Sequence, residues 1–106
     1  MPVQRINNTS FTVNLDYDLV VAKVNAANTI TCTLPDITNI DGTRVSIKFD
    51  PSSGALGTMN VVPAAGQTIE LQASKSITFL VAGVGQALKL YADSAVSNWV
   101  IESGLL

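Results

Sequence analysis

The chain has no histidine and one cysteine, Cys32, among its 106 residues. Without histidine a conventional Ser-His-Asp triad cannot be assembled, and a lone cysteine excludes an intramolecular disulfide. Because Cys32 alternates with polar residues and shares a strand face with Ile30 and Leu34, we expect a buried thiol that packs as a small hydrophobe. These absences favour a protein that works by shape and contact, and we predict that it is not an enzyme.

Charge is also scarce. Charged residues make up 13% of the chain, whereas a typical soluble domain carries about 25%. This shortage predicts that part of the surface is covered by copies of the chain or by another protein. The alternative is a monomer whose surface is neutral because it is rich in threonine and asparagine.

The balance of charge and the lack of long apolar runs exclude two classes of partner. The net charge is −2, and the six cations form no basic run, so we predict no nucleic-acid partner. The longest uncharged stretch, residues 51–69, is polar and contains proline and glycine, so we predict no membrane partner. The first residues lack the apolar run of a secretory signal.

The residues that are present alternate between polar and apolar in short segments, which is typical of half-buried β-strands. The clearest segments are residues 29–34, 43–49, 67–71, 76–81, 87–92 and 98–103. They predict an all-β protein, an antiparallel β-sandwich with jelly-roll-like connections and eight or nine short strands. Residues 1–10 are polar and patternless, so we expect a flexible N-terminal arm before a single β-sandwich domain at residues 11–106.

No candidate metal or phosphate site has a specific motif. Asp16 and Asp18, with Asp36 or Asp41, offer oxygen ligands for calcium, but their spacing matches no known calcium loop. Aspartates that bond their own backbone in turns are the alternative. The glycines at residues 83–85 precede no helix and predict a bulge or bend. We therefore predict no metal and no cofactor.

Aromatic and acidic residues give two further candidates. Trp99, Tyr17 and Tyr91 could form a platform for sugar rings, but Trp99 alternates with Ile101 on a strand, which favours a place in the core or in an interface. Asp93 and Glu102 could be drawn as a glycosidase pair, but no motif singles them out. We predict no catalytic residue.

Several segments together resemble small β-sandwich modules of bacteriophage head-decoration and tail-fibre proteins. Those modules contain a hydrophobic-Thr-hydrophobic-Thr-Leu-Pro run, a turn glycine before an alternating basic strand, a Val-x-Pro…Gly-x-Thr-Ile segment and a closing Asn-Trp-hydrophobic-Ile strand. The matching segments here are residues 30–35, Gly42 with 45–48, 61–63 with 66–69, and 98–101. The resemblance spans residues 18–102. One departure is that Asp93 is followed by Ser94-Ala95-Val96-Ser97, where the family often has Asp-Gly-Thr.

The resemblance implies a virion structural protein, assembled in the host cytoplasm. Because the chain starts at Met1 and ends soon after the tryptophan strand, we expect a capsid decoration or cement protein. It would bind the phage's major capsid protein on the outer capsid surface as a homotrimer and stabilise the head. The alternative is a tail-fibre or tailspike carbohydrate-binding module that recognises the host surface. The residues expected to make self-association or capsid contacts are Pro2, Val3, Gln4, Arg5, Ile6, Val62, Tyr91 and Val100.

Overall fold

Ten β-strands make up most of the described chain. The computed structural model describes residues 3–17, 19–25, 28–49, 57–73, 75–78 and 87–104. The strands are β1 (Val3–Asn7), β2 (Phe11–Thr12), β3 (Leu19–Lys23), β4 (Thr29–Thr33), β5 (Arg44–Phe49), β6 (Thr58–Val62), β7 (Thr68–Ile69), β8 (Lys75–Thr78), β9 (Ala87–Asp93) and β10 (Asn98–Gly104). A single 3₁₀ turn, Ser94–Val96, joins the last two strands, and these ranges contain no α-helix. The predicted all-β class is confirmed.

The strands form two sheets. Sheet A has the order β1-β3-β5-β9-β10-β7, and sheet B has the order β2-β4-β6-β8. From β1 to β9, each strand lies in the opposite sheet from the strand before it. Neighbours such as β3 and β5 are therefore joined through a strand of the other sheet, and the two run parallel.

This winding corrects the predicted antiparallel arrangement. Five of the eight strand pairings are parallel: β1 with β3, β3 with β5, β2 with β4, β4 with β6, and β7 with β10. Alternation of polar and apolar residues shows only that one face is buried, and it is the same for either strand direction. A parallel pair needs a long crossover, and here a strand of the opposite sheet supplies it. The described residues also contain ten strands rather than eight or nine.

Residues 3–7, which the sequence places in an N-terminal arm, form β1. This strand pairs in register with β3, from Val3↔Leu19 to Asn7↔Lys23. Polar side chains fix this strand. The amide of Gln4 donates from Nε2 to the carbonyl of Thr12 (3.1 Å) and accepts from the backbone N–H of Asn14 at Oε1 (3.0 Å). Gln4 thus links β1 of sheet A to residues 12–14, where the chain leaves sheet B. The sequence did not predict this role because Gln4 is polar.

The inward side chains of both sheets form one hydrophobic cluster. Its largest fully buried members include Trp99, Leu34, Ile37, Ile47 and Met59. Burying such aliphatic and aromatic side chains is the main favourable term in folding. The strands therefore present their other side chains outward, on two sheet faces, and these faces are where function has to be sought.

Candidate binding surfaces

Two candidates for chemistry, Cys32 and Trp99, lie in the core. The side chains of both residues are fully buried. Burial raises the pKa of the Cys32 thiol from its ordinary value of 9.0 to about 12, because the thiolate is poorly solvated there. Cys32 is a core residue with no reactive character. Trp99 cannot present its ring to a sugar, so it does not belong to an aromatic platform.

The turn aspartates hold loops in place. Asp36 accepts at Oδ1 from the backbone N–H of Thr38 (2.8 Å) and from Nε2 of Gln67 (2.9 Å). The hydrogen bonds from Thr38 and then from Gln67 lower the pKa of Asp36. Asp41 accepts at Oδ1 from the backbone N–H of Ser94 (2.9 Å). Among the residues that the structure describes, no three His, Cys, Asp or Glu side chains lie together as a metal site would require, and Asp18 lies outside them.

The two carboxylates considered as a glycosidase pair have separate surroundings. Asp93 ends β9 opposite Asn98, whereas Glu102 sits at a register shift of β10. Oε1 of Glu102 accepts from Nε of Arg44 at 2.8 Å, an ion pair that crosses over strand β9. Glu102 is therefore engaged with a cation rather than with a second acid.

A cleft of about 370 Å³ opens between the loop before β3 and the start of β5. Its lining residues are Val13, Leu15, Tyr17, Leu19, Val20, Thr43, Arg44, Val45 and Ser46. Leu15 and Tyr17 are 41% and 40% exposed, which is unusual for large hydrophobic residues in this molecule. The cleft combines an aromatic ring, five aliphatic side chains, three hydroxyl groups and a guanidinium group, a mixture typical of small-ligand sites.

Local hydrogen bonds shape the loop that carries Tyr17. Asn14 accepts at Oδ1 from the backbone N–H of Asp16 (2.9 Å), and its carbonyl accepts from the N–H of Tyr17 (3.1 Å). Asn14 is in turn bonded to Gln4 of β1. The sequence singled out Tyr17, but it gave no sign of the cleft, because the lining residues come from segments almost thirty residues apart.

The outward side chains of sheet B are here called the B face. The described residues of this face carry no charge. Ile30 and Cys32 of β4 and Met59 and Val61 of β6 point into the core, so the residues between them point outward. The described B face consists of Thr12, Thr29, Thr31, Thr33, Thr58, Asn60 and Val62. Most of these side chains are only partly exposed.

The outward side chains of sheet A, here called the A face, differ in composition. The described A face includes Val3, Arg5, Asn7, Leu19, Val21, Lys23, Arg44, Ser46, Lys48, Ala87, Lys89, Tyr91, Asp93, Val100 and Glu102. Within it Tyr91 lies directly opposite Val100 on one side and Arg44 on the other. The A face thus mixes aliphatic, aromatic and charged side chains.

The residues predicted for self-association or capsid contact do not form one patch. Val3, Arg5, Tyr91 and Val100 belong to the A face, and Val62 belongs to the B face on the other sheet. The remaining two described residues, Gln4 and Ile6, point inward, since Gln4 bonds the loop before β3 and Ile6 packs against the core. Pro2 lies outside the described residues.

Comparison with family models, with curated proteins and with solved structures gives no match to this chain. Within the described ranges, no helix has the length and apolar character needed to cross a membrane.

Proposed function

We propose that this chain is a virion structural protein, a capsid decoration protein that binds the major capsid protein on the outer surface of a phage head as a homotrimer. In this proposal the two sheets pack as a β-sandwich, an arrangement supported by the core cluster that both sheets share. The observation that supports self-association is the lack of charge on the described part of the B face. The resemblance to phage decoration and fibre modules supports the viral setting.

The B face suits contact between copies for a physical reason. Charged residues are depleted from the buried centres of protein interfaces, because each charge removed from water must find a partner. A flat face of threonine, asparagine and valine can be covered without that penalty. A standard interface buries about 800 Å² per partner. The chain exposes 5634 Å² in total, so such an interface would cover about one seventh of its surface.

The edge of sheet A offers a separate contact for the capsid. Strand β1 lies at this edge, and within the described chain no strand pairs with its outer side. An unpaired edge can accept an extended segment of another protein through backbone hydrogen bonds. We assign Val3 to Ile6 to capsid contact on this ground.

The test of self-association places a charge on the B face. We expect the purified protein to scatter light as three copies and Val62→Glu to scatter as one, because the new carboxylate would be buried between copies. Val96→Glu is the matched control, since Val96 is 60% exposed in the 3₁₀ turn outside the B face. A wild-type protein that stays monomeric at high concentration would contradict the proposal. Electron microscopy of the source particle then tests whether trimers cover the head.

The Tyr17 cleft favours a second candidate, a carbohydrate-binding module for recognition of the host surface. Sugar rings pack on exposed aromatic faces, and their hydroxyl groups bond to polar side chains such as those of Thr43 and Ser46. On a glycan array we expect binding that Tyr17→Ala abolishes. Leu71→Ala is the control, because Leu71 is 77% exposed at a distant turn. Equal binding by both variants would exclude the cleft.

A further inference from the structure

Five of the six cations of the chain lie on the A face. The basic residues that were spread along the sequence come from four strands of sheet A: Arg5, Lys23, Arg44, Lys48 and Lys89. The ladder registers place them on one side of the sheet, since Arg5 is opposite Val21, Val21 opposite Lys48, and Ser46 opposite Lys89. The sixth cation, Lys75, is in β8 of sheet B.

Because of this placement, positive charge is concentrated on the A face. The strands of sheet A contribute two carboxylates to the same face, Asp93 and Glu102, so the A face carries three net positive charges. The whole chain carries −2. A positive face on a negative protein attracts anions locally, although the net charge opposes them at long range.

The three lysines form a diagonal across the sheet. Lys23, Lys48 and Lys89 lie on β3, β5 and β9, each displaced from the last by two residues in register. With strands about 4.8 Å apart and about 3.3 Å per residue along each strand, neighbouring lysines stand about 8 Å from each other at the backbone. The side chains between and beside them are Val21, Ser46 and Ala87.

The diagonal adjoins the Tyr17 cleft. Arg44 and Ser46 line the cleft and also belong to the A face. The Nε of Arg44 is bonded to Glu102, while the arginine side chain is 72% exposed. A guanidinium group has five N–H donors, so this ion pair leaves most of them for a ligand.

We propose that the A face binds an acidic polysaccharide, with the carboxylate groups on the lysine diagonal and a sugar ring in the Tyr17 cleft. This inference rests on the second candidate function and names its ligand class. Each carboxylate of such a ligand belongs to a sugar ring that also carries hydroxyl groups, which matches lysines with hydroxyl and apolar side chains between them.

Two other anionic partners fit the face less well. Protein interfaces are depleted of lysine, whereas here lysines cross the middle of the face. A nucleic acid carries a phosphate roughly every 3.4 Å along each strand, which calls for a denser basic track than one lysine per about 8 Å.

The test measures binding of a polygalacturonate oligomer by calorimetry, at low and at raised salt. We expect binding that weakens with salt and that Lys48→Gln/Lys89→Gln reduces by tenfold or more, since a hydrogen bond to a charged group contributes about tenfold. Lys75→Gln is the charge-matched control on the other sheet and should bind as wild type. Glu102→Gln should strengthen binding, because it removes a carboxylate that competes for Arg44. Urea unfolding of each variant verifies that it is folded.

Matched polymers decide between the outcomes. The methyl-esterified oligomer, polyglutamate and single-stranded DNA of equal length should each bind at least tenfold more weakly than polygalacturonate. If the methyl-esterified oligomer binds as tightly as polygalacturonate and Tyr17→Ala abolishes that binding, the inference is overturned, but carbohydrate binding remains as a function. Equal binding of polyglutamate or DNA would overturn the polysaccharide assignment. Absence of binding to any glycan would remove both the inference and the second candidate.

Discussion

Cys32 shows how burial alone sets the chemistry of a residue. Its thiol lies in the core cluster shared by both sheets and keeps its proton to a pKa of about 12, against 9.0 for an ordinary thiol. The alternation of Thr29 to Leu34 was enough to predict this burial, because the cysteine sits between two outward threonines. Burial therefore makes this cysteine a core residue whose thiol stays protonated.

The raised pKa makes stability depend on pH in a defined direction. Below pH 9 the thiol is neutral in both states, so its contribution is fully present. Above pH 9 the unfolded chain loses the proton and the folded chain keeps it, so the free energy of unfolding falls by roughly 1 kcal/mol per pH unit until about pH 12.

Urea unfolding at pH 8 to 11 should show this fall in the wild type and a shallower one in Cys32→Ala. All other residues are the same in both proteins, so the difference between the two curves isolates Cys32. Parallel curves would contradict burial of the thiol.

The short strand β7 depends on a buried amide. The pattern of residues 67–71 predicts a strand, but the strand ends at Ile69 because Glu70 and Leu71 both adopt positive φ, 49° and 63°, in a tight turn closed by Gln72. Such a turn favours glycine or asparagine, so these residues need support from elsewhere. Asn98 provides it by accepting at Oδ1 from the N–H of Leu71 (2.9 Å) and from Oγ1 of Thr68 (2.8 Å).

We expect Asn98→Ala to lower the free energy of unfolding by about 1–3 kcal/mol, because it leaves the N–H of Leu71 without its acceptor. Hydrogen exchange at Leu71 should accelerate with it. Thr68→Val is the comparison variant: it removes one bond to Asn98, keeps the other, and should cost less. If both variants exchange at Leu71 like the wild type, the amide does not hold the turn.

Strand positions were more predictable than strand partners. The segments at residues 29–34, 43–49 and 87–92 correspond closely to β4, β5 and β9, since each has a buried face. Which strands pair depends on how the chain connects them. The turn at Asp41 and Gly42 does not close a hairpin, because it lies between β4 of sheet B and β5 of sheet A. There the N–H of Gly42 donates to the carbonyl of Ala92. The sequence did not predict β1, because its inward residue Gln4 is polar and bonds the backbone of Thr12 and Asn14.

At the scale of the whole molecule, the two faces have opposite characters. The B face is uncharged in its described part, and the A face collects five of the six cations. In the sequence these cations are separated by up to 84 positions, from Arg5 to Lys89, and gave no sign of a patch. Only the register of four strands brings them together. The candidate surfaces were therefore beyond prediction from the sequence, although Tyr17, Val62 and Tyr91 were named from it.

The order of the strands in sheet A also determines when during synthesis this sheet can be completed. Strand β5 and strand β7 are made before β9 and β10, yet in sheet A the hairpin of β9 and β10 lies between them. During synthesis the middle of sheet A must stay open until β9 and β10 leave the ribosome, with unpaired strand edges exposed meanwhile. Non-local pairing of this kind slows folding. A truncation that removes β9 and β10 would thus leave β1, β3 and β5 separated from the two-residue strand β7, with no strand between them to pair with either edge.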